Sequence, residues 1–169
     1  MGNVWDITGR YNAAMETFTG DRAVFGGGSP HPAGVNIIDY IQGSSLGNAV
    51  DFGDLTVARV TLGAYGNQTR AAWCGGQIAP TLQNVIDYVT ISSTGDAADF
   101  GDLTDARSQL AGTSNNTRGV NAGGTSPGKV NIIDYITIAS TGDAADFGDL
   151  IAATSIWGAC SDSHGGLQG

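Results

Sequence analysis

The sequence predicts an all-β fold: a β-propeller of about four blades, three of them complete and one composite, closed by the N-terminal strand. Three observations predict it. First, one phrase occurs three times, as Asn36-Ile37-Ile38-Asp39-Tyr40, Asn84-Val85-Ile86-Asp87-Tyr88 and Asn131-Ile132-Ile133-Asp134-Tyr135. It is followed each time by Asp-Phe-Gly-Asp-Leu, at 51–55, 99–103 and 146–150. Steps of 48 and 47 residues separate the three copies, the period of an array in which neighbouring units bury one another's apolar faces. Second, each period divides into four short segments rich in β-branched and aromatic residues, which is the strand content of one propeller blade. Third, 27 glycines and a hydrophobic share of 41% fit a turn-dense globular chain.

Taken in order, residues 3–8 (Asn-Val-Trp-Asp-Ile-Thr) read as an outer strand without its blade. They match either the Asn84-Val85-Ile86-Asp87 phrase or the Gly53-Asp54-Leu55-Thr56 region, because Asp6 to Arg22 and Asp54 to Arg70 are both 16 residues apart. Four hairpins follow along the chain. They run from 11–18 into 22–28, from 60–66 into 70–76, from 108–114 into 118–124 and from 155–160 into 164–169. Turns such as Asn67-Gln68-Thr69 and Asn115-Asn116-Thr117 carry the residues that chain reversal favours. A glycine doublet ends the second strand of each unit and leads into a loop that differs every time, at 29–34, 77–83 and 125–129. The Ile-Ile-Asp-Tyr strand comes next, then a polar turn such as Ser93-Thr94-Gly95-Asp96, then the Phe and Leu of the fourth strand. The units are thus about 10–56, 57–104 and 105–151, with a partial 152–169 completed by 1–9, all in a single domain spanning 1–169. Small residues in the first strands (Ala13, Ala14, Gly63, Ala64, Ala111, Gly112) suit a crowded ring axis. A monomeric four-bladed ring is the first expectation; a homodimer in which two arcs form a larger ring is the second.

Within each unit the order is glycine doublet, variable loop, Asp-Tyr, aromatic-x-x-Leu and then arginine (Arg59, Arg107). That order resembles the kelch repeat. Longer phrases, among them 131–150 and Thr69-Arg70-Ala71-Ala72-Trp73-Cys74-Gly75-Gly76, resemble the kelch-like repeats of virion structural and tail-fibre proteins of cyanophages and related marine phages. The resemblance covers nearly the whole chain. It departs at residues 3–8, at His164 where sibling units carry arginine, and after Gly169, where the third and fourth strands are missing. It implies a location in the phage particle, with the cytoplasm the place of assembly, and other virion proteins or a host-surface glycan or protein as partners.

Composition narrows the function classes. A formal charge of −9 and a pI near 4.2 repel nucleic acid and anionic membranes. No apolar run approaches the roughly 20 residues that span a bilayer, and no signal peptide is read. Cys74 and Cys160 occupy non-equivalent positions, so free thiols are expected and neither a metal site nor a cofactor.

Chemistry is weighed residue by residue. Gly43-Ser44-Ser45-Leu46-Gly47 has the spacing of a hydrolase nucleophile elbow, but it falls in a turn whose siblings lack the pattern. Asp96, Asp99 and Asp102, with their twins Asp143, Asp146 and Asp149, offer hard oxygen ligands, although turn capping accounts for most such placements. A catalytic carboxylate is needed once or as a distinct pair, whereas Asp39, Asp87 and Asp134 recur with every unit, as do Arg22, Arg70 and Arg118. Both sets are therefore assigned to inter-strand or inter-blade hydrogen bonds and ion pairs. No catalytic residue is assigned. Binding is expected where the repeats disagree, at His31, Gln77, Gln83 and Lys129 in the variable loops. The expected function is a non-enzymatic structural or adhesive module; an intracellular protein-interaction propeller is the alternative, and a small hydrolase or lyase with an axial pocket ranks below both.

Overall fold

The computed structural model of the chain describes residues 20–29, 34–155 and 158–162. Those residues are all-β, and they form three successive antiparallel meanders. The first sheet joins β1 (Arg22–Gly26), β2 (Ile37–Gln42) and β3 (Val50–Asp54). The middle sheet runs β4 (Gly63–Gly66), β5 (Arg70–Cys74), β8 (Val85–Thr90) and β9 (Ala98–Asp102); the third runs β10 (Ala111–Ser114), β11 (Arg118–Ala122), β14 (Ile132–Thr137) and β15 (Ala145–Asp149). The expected hairpins at 11–18 and 164–169 lie outside the described residues.

Two segments read as loops contain short hairpins of their own. Strands β6 (Gln77–Ile78) and β7 (Thr81–Leu82) pair with each other, as do β12 (Thr125–Ser126) and β13 (Gly128–Lys129). Their brevity and their Pro and Gly content hid this periodicity. The first strands of the middle and third units are also shorter than expected. The chain makes an isolated bridge at Val60 or Ser108, then passes through the left-handed region at Thr61 and Gln109 (φ 57° for both) before the strand proper begins.

Each Ile-Ile-Asp-Tyr strand carries a bulge against the Asp-Phe-Gly-Asp strand. Ile86 pairs with Gly101 and Asp87 with Asp99, so Phe100 is the extra residue, and the other two units repeat the offset. A bulge bends the strand and re-aims side chains. Here Phe52 and Phe100 turn inward, and both are almost completely buried. The glycines after Phe52 and Phe100 are required by close approach: a Cβ on Gly101 would lie 2.5 Å from the Gly142 carbonyl of the next unit.

Sheets stack face on face. Ile38, Phe52 and Leu55 of the first unit pack against Ala71, Trp73 and Val89 of the middle one. The opposite face of the middle sheet, with Cys74, Ile86, Phe100 and Leu103, packs against Ile136 and Ile138 of the third. Alternation along a strand sends successive side chains to opposite faces, so one short strand contributes to two cores. Between the middle and third sheets the first strands, β4 and β10, run nearest each other, and a Cβ on Gly112 would meet the Ala64 carbonyl at 2.6 Å.

Candidate functional site: buried clamps and an exposed hairpin edge

Two of the repeated aspartates, Asp87 and Asp134, anchor junctions between successive sheets. Asp87, fully buried in β8, receives Arg59 Nη1 at 2.7 Å and the Thr56 hydroxyl, both from the connection between β3 and β4. Asp134 receives Arg107 through two nitrogens, at 3.0 and 2.8 Å, and Thr104 through its hydroxyl. Arg59 and Arg107 are themselves completely buried, and each also donates to a backbone carbonyl, of Trp73 and Gly123 respectively. A buried charge is tolerable only when paired and hydrogen-bonded, and removing one partner of such a pair costs about 3–5 kcal/mol.

Arg22, Arg70 and Arg118 do different work. Each guanidinium sits over the ring of Tyr40, Tyr88 or Tyr135, at 4.8, 4.7 and 4.5 Å from the centroid. The same rings meet Phe52, Phe100 and Phe147 edge-on. Arg22 and Arg70 then reach into the following unit to donate to the carbonyls of Ile91 and Ile138. Ion pairing with the repeated aspartates thus falls to Arg59 and Arg107. Their signal in the sequence is a constant offset, with Arg59 28 residues before Asp87 and Arg107 27 before Asp134.

The acidic turns are stitches of the same kind. Asp96 accepts the backbone N–H of Asp54, and Asp143 accepts that of Asp102. Beside them Gly95 and Ala97 donate to the carbonyls of Phe52 and Asp54, and Gly142 and Ala144 repeat this one unit later. The free edges of β3 and β9 are thereby covered by the next unit's turn, a protection against edge-to-edge pairing. Among the described residues no group of three or more His, Cys, Asp or Glu is placed to hold a metal ion. Nor does any described helix have the length and apolarity to cross a membrane.

Asn121, Tyr65 and Cys74 form a buried polar cluster that nothing in the repeat announces. Asn121 Nδ2 donates to the Tyr65 hydroxyl at 3.3 Å, and the two residues belong to different sheets. Burial pushes the Cys74 thiol up to about 12, and burial with Cys74 alongside holds the Tyr65 phenol well above its usual value. Cys74 is a protonated, enclosed thiol, whereas Cys160 is exposed; neither is in a disulfide.

Among the binding candidates, His31 lies outside the described residues. Gln77 opens β6, where its backbone exchanges hydrogen bonds with Val60 in both directions. Ser108 Oγ approaches the Gln77 side chain at 3.5 Å, and Ser108 in turn bridges Thr125 of the next hairpin. The two hairpins are therefore neighbours along one edge. Gln83 is half-buried and donates weakly to the Thr81 carbonyl, while Lys129 is exposed at the end of β13. Ile78 is exposed beside them. No protein-family model matches the chain, and no curated protein matches it significantly.

Proposed function

We propose that the chain is a kelch-like β-propeller module of a phage virion that works by adhesion rather than catalysis, gripping a host-surface glycan or protein along its hairpin edge. One observation carries the reading: Asp87, Asp134, Arg59, Arg107 and Arg70 are engaged between sheets, whereas the segments that differ between units, 77–83 and 125–129, lie side by side with their tips, 78–81 and 127–129, exposed. On a scaffold of this kind, residues released from building the repeat are the ones available for recognition. Gln77, Gln83, Thr125, Ser126 and Lys129 offer amides, hydroxyls and one cation, which suit a sugar's hydroxyl groups or the polar surface of a protein. The phage setting is supported by the resemblance of the repeat phrases to virion and tail-fibre proteins. The propeller geometry is supported by meanders that stack in sequence with their first strands closest together.

Replacing residues 125–129 by residues 77–83 tests the reading. Thr125 and Gln77 make the same backbone bridge, so the exchange preserves the junction. The glycan-array or host-cell binding profile should change while the melting temperature does not. An unchanged profile, or binding by neither protein, would sink the proposal.

A further inference from the structure

Among the described residues, the first sheet has one covered face and one open face. Trp73 of the middle sheet is 2% exposed beneath the first sheet, yet Phe25, at the matching register position opposite Asp39, is 55% exposed. Asp39 differs from its siblings in the same way. Asp87 and Asp134 are fully buried under arginine and threonine, whereas Asp39 is half-buried and receives no arginine among the described residues. A carboxylate in that position lacks the preceding unit's Asp-Leu-Thr-x-x-Arg segment, present at 54–59 and at 102–107.

The chain carries one more segment of that kind. Asp6-Ile7-Thr8-Gly9-Arg10 places Thr8 31 residues before Asp39 and Arg10 29 before it. The clamping hydroxyls at the two described junctions stand 31 and 30 residues before their aspartates, and the arginines 28 and 27. Ile7 falls where Leu55 and Leu103 are buried, and Val4 where Phe52 and Phe100 are. The match departs at Trp5, which replaces glycine, and by one residue between Thr8 and Arg10. Elimination points the same way. Of the chain's 7 basic residues, Arg22, Arg59, Arg70, Arg107 and Arg118 are engaged as described above, which leaves Arg10 and the distant hairpin residue Lys129.

We propose that residues 4–10 dock on the open face of the first sheet of the same molecule, with Ile7 and Val4 over Phe25 and with Arg10 and Thr8 clamping Asp39. The segment thereby supplies the junction that the first sheet would otherwise lack.

A double-mutant cycle in the full-length chain tests this. Arg10→Ala and Asp39→Asn should each lower Tm, and the double variant should fall no further than the more damaging single one; additive losses, or no loss with Arg10→Ala, overturn the proposal. Should Arg10→Ala fail to fold, Arg10→Lys replaces it in the cycle. A proximity measurement distinguishes the occupant: Gly9→Cys with Ala23→Cys, in a Cys160→Ser background, should be joined within one molecule by a short bismaleimide. A dimer band would put a second copy on this face and overturn docking within the chain, as would no crosslink at all.

Discussion

At the residue scale, the same side-chain types carry distinct duties according to burial. Asp87 sits in the low-dielectric interior and is held by two donors from the connection between β3 and β4, whereas Asp96 stays exposed and accepts a single backbone N–H. Cys74 shows how burial becomes a pH effect. Its folded value of about 12 exceeds that of a thiol in an unfolded chain, about 8.5. Below the unfolded value both states keep the proton and stability is independent of this group. As pH rises above it, the unfolded chain releases the proton while the folded chain retains it, so stability falls until the folded value is reached. The loss should approach about 1.4 kcal/mol per pH unit once the unfolded thiol is ionised. Urea midpoints compared between about pH 7.5 and pH 9.8 should therefore drop more steeply in the parent chain than in Cys74→Ala. Equal slopes would show that the thiol is not enclosed as described.

At the element scale, the junction between sheets is the unit of stability. A single β-meander has two apolar faces and cannot cover both, so Phe52 and Phe100 are buried only because the next sheet lies over them. The arginine clamps determine how those faces meet, because a bidentate guanidinium tolerates little rotation. Arg107→Ala should cost about 3–5 kcal/mol in urea denaturation, leaving Asp134 charged and buried without its partner. Arg107→Met combined with Asp134→Leu should recover much of that loss, since apolar groups of similar volume carry no desolvation cost. If the pair proves as damaging as the single alanine variant, packing rather than charge governs the junction.

At the scale of the whole molecule, the stack continues beyond the third sheet. Ser161 Oγ donates to the Ser114 carbonyl as Ser114 Oγ donates to Gly66, and Gly124 N–H reaches Thr154 as Gly76 N–H reaches Arg107. The two ends of the stack differ from its middle. Phe147 is 54% exposed where Phe52 and Phe100 are covered, and Ile151 and Thr154 occupy the clamp positions of Thr56 and Arg59. The ring we propose predicts a monomeric mass in light scattering that does not change with concentration. A doubling of mass as concentration rises would favour two arcs in a larger ring.

Much of this was legible in the residues alone. The period, the four strands of the middle and third units and the hairpins between their first two strands all follow from patterns that local chemistry imposes: alternation, turn residues and recurrence. Which arginine meets which aspartate was not legible, because Arg59 lies in the connection between the first and middle sheets and the order of residues carries no distance from there to Asp87. The Tyr65, Cys74 and Asn121 cluster was hidden for the same reason, having no sequence period to reveal it. The short hairpins at 77–82 and 125–129 escaped notice because two-residue strands are too brief for alternation to show. The sequence by itself determined what repeats, since a unit with two apolar faces must be followed by another. Only the tertiary structure decided how the copies are joined, because burial alone turns a recurring Thr, Arg and Asp into one clamp and leaves Asp39 open for another.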